Sequence, residues 1–259
     1  MVLILLPPSE GKARPRRGNV LDLSALSFPS LTAARERVID ALVQTCHLPD
    51  AAEILGLGAR LVAEVDHNTE LRSAPTARAD AIYTGVLFDA LGFESLSPEA
   101  RRRATRRVVI TSSVFGIVRP TDRIPAYRLS GDVTLPGLGP VAALWRESMG
   151  AAVLGSLGDG LLVDLRSSTY ANFWRPPRTL GPWLASVRVL HESGGKRSVV
   201  SHFNKATKGK LVRALMEDGG QPTTPEELCT QLRDLGWYVE SASGSSGTRL
   251  DVVVTELHA

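Results

Sequence analysis

The sequence predicts one α+β domain over residues 1–259, with a mixed sheet, flanking helices and an embedded helix-hairpin-helix element. Strand and helix patterns alternate unevenly to the end of the chain, which is typical of that class. Neither a break in composition nor an internal repeat divides the 259 residues. Two short helical patterns on either side of Leu55-Gly56-Leu57-Gly58 predict the helix-hairpin-helix element.

The first half begins with a buried strand over Val2–Leu6, which Pro7 ends because proline cannot donate to a strand ladder. Apolar residues at helical spacing predict a helix over Leu31–Val43. Another helix begins at Ser97, a residue type that caps helices, and leads into a buried strand, Val108–Ser112. The weaker patterns of this half are short helices over 50–55 and 59–66 and a proline-stiffened extended segment over 119–129.

The second half contains one hairpin pattern and one strong helix start. Val187–His191 and Arg197–Phe203 are predicted as neighbouring strands, because a Ser-Gly-Gly turn separates them. Thr224 is followed three residues later by Glu227, a capping box that predicts a helix over 224–235. The remaining predictions are helices over 141–154 and 208–218 and strands over 161–165, 237–241 and 250–255.

Composition and charge exclude several classes of protein. No stretch approaches the roughly 18 uncharged apolar residues of a membrane span, so no membrane partner is expected. Two cysteines cannot build a disulfide scaffold or a zinc site, which favours a cytoplasmic location and predicts neither metal nor cofactor. The net charge is only +3, and the 25 arginines against 5 lysines are explained better by a GC-rich genome than by phosphate binding.

Gly56 and Gly58 form the first candidate site. Glycines let a turn close tightly and bring backbone N–H groups close to an anion. The following helix would direct its positive end to the same point, with Arg60 in its first turn. This arrangement predicts contact with DNA phosphates. The alternative is a glycine-terminated helix that is simply followed by another helix.

A basic helix is the second candidate. Arg102 and Arg106 are four residues apart and share a face, where like charges repel unless an anion balances them. A phosphate backbone is one such partner. The alternative is a solvated face whose charge Glu94 and Glu99 balance.

Polar residues also follow the ends of predicted strands, where ligand crevices form. Glu10 and Lys12 follow the first strand, in a segment that lacks the Gly-x4-Gly-Lys-Ser/Thr pattern of a phosphate-binding P-loop. Asp164 and Tyr170 follow a later strand. A rigid turn with surface charges is the alternative for the first of these segments.

The segment after Ser112 mixes polar and apolar residues without helix or strand periodicity, as loops that line sites often do. It contains Arg119, Asp122, Tyr127 and Arg128. Asp122 can orient an arginine, and Tyr127 can donate a hydrogen bond or stack. A buried Arg–Asp network that holds a long loop explains the same residues.

Basic residues mark the start of a later helix. Lys205 and Lys208 lie near that start, where backbone N–H groups favour anions, and Lys208 is also a candidate DNA contact. His202 beside them can act as a general base, although a satisfied or surface histidine is the commoner case.

We expect the strand-end residues to converge in one electropositive cleft, because the ends of strands in one sheet can be neighbours. Such a cleft would suit a small anionic ligand such as a nucleotide or nucleobase, bound or acted on as a substrate. The residues expected to approach each other are Lys12, Arg119, Arg128 and Lys205, with Glu10, Asp122, Asp164 and Tyr170 among them.

These blocks together resemble the YaaA family of bacterial peroxide-stress proteins. They occur in family order, and the resemblance extends from residue 2 to about residue 254. The most specific block is Arg-Pro-x-Asp at 119–122 with Tyr-Arg-Leu at 127–129. The other blocks are 3–12, Tyr83-Thr84-Gly85, Leu144-Trp145, 165–170, and Lys205 with Lys208-Gly209 and Arg213.

The resemblance implies one cytoplasmic domain of an unusual α+β fold with an embedded helix-hairpin-helix element. It implies a role in limiting intracellular iron and oxidative DNA damage during peroxide stress, and binding of duplex or branched DNA. For this chain we expect such binding to be largely independent of sequence. No enzymatic reaction is implied. The leading hypothesis is therefore a DNA-binding protein of the peroxide response, and the alternative is an enzyme or binder of a small anionic ligand. A third interpretation is that the polar blocks form a buried network that specifies the fold.

Overall fold

The apolar run Val2–Leu6 forms a fully buried strand at the centre of the main sheet. The computed structural model describes residues 1–255 and, within them, all side chains except those of Ser201 and His202. The central strand has a parallel neighbour on each side. Strands that are buried on both faces are expected to be mostly apolar. Val108–Ser112 is a second fully buried strand, apolar over its first three residues and followed by the buried Thr111 and Ser112.

Strands and helices alternate along the described chain. The strands are β1 (Val2–Leu6), β2 (Ala77–Arg78), β3 (Val108–Ser112), β4 (Gly116–Val118), β5 (Arg123–Ile124), β6 (Thr134–Leu135), β7 (Gly139–Pro140), β8 (Leu161–Asp164), β9 (Leu184–Ser193), β10 (Lys196–Ser198), β11 (Tyr238–Gly244) and β12 (Gly247–Val254). The α-helices are α1 (Thr32–Cys46), α2 (Ala51–Ile54), α3 (Ala63–Thr69), α4 (Ala79–Ile82), α5 (Val86–Leu91), α6 (Pro98–Arg107), α7 (Val141–Leu157), α8 (Ser168–Ala171), α9 (Ser201–Asp218) and α10 (Pro225–Asp234). Short 3-10 helices cover Leu23–Ala25, Pro29–Leu31, Ala59–Leu61, Phe93–Ser95 and Arg178–Trp183.

The main sheet has the strand order β11-β12-β9-β8-β1-β3-β4, with β10 paired to the end of β9. Its five inner strands are parallel, and β4, β10 and β11 are antiparallel to their neighbours. The predicted mixed sheet and single domain are confirmed. The parallel core, however, gives the protein an alternating α/β character rather than the segregated arrangement that α+β implies.

The order of the parallel strands determines where a ligand crevice is expected. Counted along the chain, the parallel strands lie in the order 2-1-3-4-5, as in one common type of doubly wound sheet. In such a sheet the direction of the connections changes between the first strand and its third-strand neighbour. Here those two strands are β1 and β8, and the crevice belongs at their carboxyl ends.

Helices pack beside the main sheet, and one buried arginine connects a helix to the edge strand β4. α1 and α7 pack against each other, and α5 packs against α9. Arg35 of α1 is fully buried, and its guanidinium donates to the carbonyl oxygens of Phe115 and Ile117 at 3.0 and 2.9 Å. The arginine therefore holds β4 to the helix layer, a role that nothing in the sequence pattern indicates.

The two predicted helix starts are confirmed. The Ser97 hydroxyl accepts a hydrogen bond from the backbone N–H of Ala100 at 3.2 Å. The Thr224 hydroxyl accepts one from the N–H of Glu227, also at 3.2 Å. The carboxylate of Glu227 accepts from the N–H of Thr223 at 2.7 Å, one residue before the position that a standard capping box uses.

The predicted helix-hairpin-helix element is not confirmed. α2 is a single turn of four residues, and Gly56 follows it with φ +64°. The chain then forms the 3-10 turn Ala59–Leu61 before α3. We call residues 54–58 the glycine turn; it joins short helical segments, neither of which has the length of the helices in that motif.

One predicted strand is wrong over most of its length. β10 ends at Ser198 and α9 begins at Ser201, so residues 201–203 are helical instead of extended. The Ser-Gly-Gly hairpin before β10 is confirmed by the antiparallel pairing of Lys196 with Ser193. In the described part of the chain, none of the helices combines the length and the hydropathy needed to cross a membrane.

Candidate functional site

The carboxyl ends of β1 and β8 carry the polar segments that the sequence places after apolar strands. β1 and β8 are in direct parallel register, with Leu5 beside Asp164. The segment from Pro7 to Lys12 therefore leaves the sheet beside the segment that begins at Leu165. A third strand, β3, ends at Ser112 on the other side of β1. The candidate site lies at this edge of the sheet.

Lys12 is held over an aromatic surface at this edge. Its Nζ donates to the carbonyl oxygen of Ser9 at 2.9 Å, and its backbone forms an isolated β-bridge with Tyr83. The ammonium lies 4.0 Å from the centroid of the Tyr127 ring and 5.6 Å from that of Tyr83. Burial lowers the pKa of Lys12 to about 7; the carboxylate of Glu10 opposes this shift, and the charge of Arg128 adds to it.

The aromatic surface is fixed by a chain of hydroxyl groups. The Tyr127 hydroxyl lies 2.8 Å from the Ser112 hydroxyl and 3.0 Å from the Tyr83 hydroxyl. Ser112 in turn accepts from the N–H of Phe115 at 3.0 Å. Burial raises the pKa of Tyr127 to about 12 and also raises that of Tyr83. Both rings therefore remain neutral phenols beneath the Lys12 ammonium at physiological pH.

Arg128 is the second cationic side chain at this edge of the sheet, after Lys12. Its Nη1 donates to the carbonyl oxygen of Glu10 at 3.0 Å, and its Nη2 lies 3.2 Å from the Glu10 carboxylate. Asn68 of α3, which is fully buried, clamps the backbone of Arg128: it donates to the carbonyl oxygen at 2.7 Å and accepts from the N–H at 2.9 Å. Asn68 is a positioning residue that sequence reasoning missed, because a single asparagine in a helix carries no pattern.

A cleft of about 610 Å³ opens beside Arg128, and we call it the polar cleft. Its volume lies within the range of small-molecule sites. One wall is mostly apolar and comes from the glycine turn, and the other is mostly polar. The lining residues are Glu10, Ile54, Leu55, Gly56, Leu57, Arg128, Ser130, Asp132, Val133 and Thr134. The polar cleft therefore brings Glu10 together with two segments, 54–57 and 128–134, that are more than 70 positions apart in the sequence.

The glycine turn has an open backbone at the cleft. At both Gly56 and Gly58, no heavy atom of the described residues, apart from the glycine and its two neighbours in the chain, lies within 4 Å of where a Cβ would be. Gly56 needs its positive φ, whereas Gly58 has φ −67° and ψ 162°, which any residue adopts. Arg60 lies exposed in the 3-10 turn that follows. A ligand can thus approach the main chain here without displacing a side chain.

Arg119 and Asp122 do not join the polar cleft, so their predicted convergence with Lys12 is wrong. Arg119 donates to the carbonyl oxygen of Arg106 at 2.6 Å and to the Ser156 hydroxyl at 2.5 Å. Arg106 lies two residues before β3, and Arg119 also donates to the carbonyl oxygen of Val108 at 3.4 Å, so this guanidinium lies at the amino end of the strand, whereas Ser112 marks its carboxyl end. Five residues of strand separate the two positions by about 13 Å.

Asp122 is buried and holds the loop that follows β4. Its carboxylate accepts from the N–H and the hydroxyl of Ser27, at 3.1 and 2.7 Å. It also accepts from the backbone N–H of Arg119 at 2.8 Å. Asp122 thus holds a long loop, as the alternative of a buried Arg–Asp network expects, but its partners here are Ser27 and the backbone of Arg119, while the Arg119 guanidinium bonds elsewhere.

Asp164 and Lys208 lie in a buried cluster around the end of β8, whereas Tyr170 lies closer to the polar cleft. Asp164 makes a two-pronged ion pair with Arg166, at 2.9 and 2.7 Å. Lys208 is buried and donates to the carbonyl oxygen of Leu165 at 2.8 Å, and burial lowers its pKa to about 8. Because its ammonium points inward, Lys208 does not present the predicted DNA contact at the surface. Tyr170 is buried and packs against Gly131, which lies between two lining residues of the polar cleft. Burial raises its pKa, and the nearby Tyr127, Glu10 and Asp132 add to the rise, so Tyr170 approaches Glu10 as predicted.

Two of the five arginines of the basic helix α6 have a structural role. Arg103 donates to the carbonyl oxygen of Met216 at 2.7 Å, and Arg107 donates to that of Gly220 at 2.8 Å. Both therefore satisfy carbonyl groups at the end of α9. Arg102 pairs with Glu99 at 2.6 Å, and Arg106 is exposed at the end of the sheet opposite the polar cleft.

The last two candidates lie on α9. Lys205 is exposed on this helix and is not among the lining residues of the polar cleft. The side chain of His202 lies outside the described residues.

Comparison with known proteins matches residues 2–242 to the family described as peroxide stress protein YaaA. A UPF0246 protein from Streptomyces coelicolor is 50% identical over 262 residues, covering 99% of this chain and 100% of the relative. A UPF0246 protein from Corynebacterium efficiens is 42% identical, covering 97% of this chain and 100% of the relative. A UPF0246 protein from a Ruegeria species is 32% identical, covering 66% of this chain and 70% of the relative.

Proposed function

The chain belongs to the YaaA family of peroxide stress proteins, and from that premise we propose that it binds DNA in the polar cleft, largely without sequence specificity. In the response to hydrogen peroxide, such binding would help to limit iron-dependent DNA damage. The observation that carries the proposal is that Gly56 of the glycine turn and Arg128 line one cleft. Double-stranded or branched DNA is the proposed partner.

The two walls supply different kinds of contact. Gly56 and Gly58 carry no side chain that would block an approaching phosphate. The N–H groups of Gly56 and Leu57 already donate within the turn, to the carbonyl oxygens of Glu53 and Ala52. The donors proposed for a phosphate are therefore the N–H groups from Gly58 into the 3-10 turn that follows. Arg128 supplies a guanidinium, whose planar donors suit phosphate oxygens. Arg60 is exposed on the turn next to them. These groups position a strand but do not read bases, which is why the binding is sequence-independent.

Fewer basic side chains are available to contact DNA in this cleft than the sequence suggests. Arg106 lies at the opposite end of the sheet, and Arg103 and Arg107 are occupied by the end of α9. Glu10 and Asp132 add negative charge to the cleft lining. DNA binding through this cleft is therefore expected to be moderate and strongly dependent on salt.

The proposal is tested by fluorescence anisotropy with labelled duplex, single-stranded and four-way-junction DNA. Arg128→Ala is expected to weaken binding at least about tenfold, the equivalent of one charge-assisted hydrogen bond. Arg102→Ala is the matched control, because Arg102 is exposed and pairs with Glu99 on α6. Equal weakening by both variants would show a diffuse effect of positive charge and count against a specific cleft site, and unchanged binding by Arg128→Ala would overturn the cleft proposal.

The protective role has a separate readout. Plasmid DNA is exposed to Fe²⁺ and hydrogen peroxide with wild-type protein, with Arg128→Ala, or with none. The wild-type protein is expected to slow nicking, and Arg128→Ala to slow it less at equal protein concentration. Equal protection by both proteins would separate protection from binding in the cleft.

A small anionic ligand is the second candidate function. The observation that favours it is the position of the cleft at the carboxyl ends of the strands where the connections change direction. Arg128 and Lys12 would hold its phosphate or carboxylate. Thermal-shift titration with nucleoside mono-, di- and triphosphates tests this function, and stabilisation that disappears in Arg128→Ala would support it.

A further inference from the structure

We propose that Lys12 is a nucleophilic amine that forms an imine with the aldehyde of a phosphorylated sugar in the polar cleft. The aldehyde of an abasic deoxyribose in DNA is the favoured source, because the glycine turn extends the cleft beyond the size of one sugar phosphate. The choice of source rests on the proposed DNA binding. The chemistry of Lys12 does not, since a free pentose phosphate presents the same aldehyde and phosphate groups.

The geometry places the amine at the cleft wall. Lys12 Nζ and Arg128 Nη1 both donate to the carbonyl oxygen of Glu10, at 3.4 and 3.0 Å. Glu10 and Arg128 line the polar cleft, so Lys12 Nζ lies directly behind the lining that they form. An aldehyde that reaches the amine would have its neighbouring phosphate within reach of the Arg128 guanidinium. Binding of the phosphate and attack on the aldehyde thus use adjacent groups.

The surroundings keep much of the amine in its reactive, neutral form. Its half-buried position and the nearby charge of Arg128 both disfavour the ammonium, and with a pKa of about 7 roughly half of the amine is neutral at pH 7. The rings of Tyr127 and Tyr83 form an apolar floor beneath it. Glu10 provides a carboxylate at the cleft wall that can transfer protons during the reaction.

A second buried lysine, Lys208, differs from Lys12 in its position relative to the polar cleft. Lys208 also has a lowered pKa, about 8. Its Nζ, however, is buried against the carbonyl oxygen of Leu165, close to the charge of Asp164, and neither of these neighbours lines the cleft. Lys208 therefore serves the fold, whereas the Nζ of Lys12 donates to the carbonyl oxygen of Glu10, a residue that lines the cleft.

The proposed step is balanced without an added oxidant or reductant. The lone pair of the neutral Lys12 amine attacks the aldehyde carbon and forms a C–N bond, and the C=O π pair moves to the oxygen. One proton passes from nitrogen to that oxygen, which gives a carbinolamine. The carbinolamine then loses its hydroxyl group and the second nitrogen proton as water, which leaves a C=N bond between the lysine and the sugar.

Borohydride trapping tests the imine directly, because hydride reduction converts C=N into a stable secondary amine. The probes are a labelled duplex with one abasic site, the same duplex with a tetrahydrofuran analogue that has no aldehyde, and ribose 5-phosphate. Wild-type protein is expected to form a covalent adduct with the abasic duplex and none with the analogue. Peptide mapping of the reduced adduct is expected to find the modification on Lys12, and modification of another lysine would overturn the inference.

Two variants check the assignment. Lys12→Arg keeps the positive charge over the rings but cannot form an imine, so trapping is expected to fall at least about tenfold, in line with loss of a reacting group. Lys210→Arg changes an exposed lysine of α9 and is expected to trap as the wild type does. Thermal melting verifies that both variants fold. If Lys12→Arg does not fold, peptide mapping of the adduct on the wild-type protein still identifies the lysine that reacts.

Anisotropy with the same duplexes separates this inference from the proposed function. If the protein binds abasic DNA but traps neither DNA nor ribose 5-phosphate between pH 6 and pH 8.5, the inference is wrong and DNA binding stands. If it binds no DNA but traps ribose 5-phosphate at Lys12, the amine chemistry stands and the source is a free sugar phosphate. Failure of both binding and trapping overturns both proposals.

Discussion

The ammonium of Lys12 lies 4.0 Å from the centroid of the Tyr127 ring, and the hydroxyl of that tyrosine is hydrogen-bonded to the hydroxyl of Ser112, the last residue of β3. The lysine is thus fixed between a neutral phenol and the wall of the polar cleft. This position makes the charge state of Lys12 a property of the folded protein, and it links the stability of the domain to pH.

We predict that replacement of Lys12 by methionine removes part of the rise in stability with pH. The pKa of Lys12 is about 7 in the folded protein and near 10.5 in the unfolded chain, so the unfolded chain binds more protons between these values. The free energy of unfolding therefore increases with pH in this window. The contribution is at least about 1 kcal/mol, since one unit of pKa corresponds to about 1.4 kcal/mol.

Urea unfolding at pH 7, 8.5 and 10 measures this effect. The lowered pKa of Lys208 also makes the free energy of unfolding rise with pH, but it does so equally in the wild type and in Lys12→Met and therefore cancels in the comparison. Parallel pH profiles of wild type and Lys12→Met would contradict the assignment of the lowered pKa to Lys12.

We predict that Gly58→Val weakens DNA binding while leaving stability nearly unchanged. The backbone of Gly58 is extended and its surroundings are open, so valine fits without strain. Its branched side chain would nevertheless block the approach of a phosphate to the main chain. The expected loss in gel-shift titration is about tenfold, equivalent to one hydrogen bond to a charged group.

Gly155→Val is the matched control for that titration. Gly155 is exposed on α7 and also has space for a Cβ, but it lies outside the polar cleft. DNA affinity that is equally reduced in both variants, or unchanged in Gly58→Val, would remove the glycine turn from the interface.

The salt dependence of DNA binding measures how many phosphates the protein contacts. We predict a linear fall of log affinity with log salt concentration, with a slope of about −0.9 for each phosphate contacted. The modest charge of the cleft predicts roughly three to six contacts, and hence a slope of about −3 to −5. Anisotropy titrations between 50 and 300 mM KCl, concentrations over which such a slope is easily resolved, provide the measurement. A flat profile would argue against binding through phosphates.

Asp122→Ala is predicted to destabilise the protein without acting on the cleft. The substitution leaves the N–H groups of Ser27 and Arg119 without their acceptor, and Arg35 loses a nearby negative charge. The expected loss is about 2–3 kcal/mol in urea unfolding, as for buried donors left unsatisfied. Asp132→Ala is the control, because that carboxylate is exposed at the cleft. If Asp122→Ala unfolds like the wild type but binds DNA more weakly, the placement of Asp122 in a structural network is incorrect.

The sequence determined those parts of the fold that depend on local pattern. The apolar runs of β1 and β3 and the caps at Ser97 and Thr224 were predictable, because burial and capping act within a few residues. The segments at the carboxyl ends of strands were also recognised as chemistry-bearing. The bounds of α9 were not, since residues 201–203 have no local signal that separates the end of a hairpin from the start of a helix.

Only the tertiary structure decided which polar residues meet. Arg119 and Arg128 look alike in sequence, but the reversal between β3 and β4 carries Arg119 to the amino end of the sheet and leaves Arg128 at the carboxyl end. Likewise, Asn68 clamps Arg128 from a helix 60 residues away. Such pairings depend on strand order and chain reversal, which are long-range properties of packing, and a local pattern of residues contains no information about them.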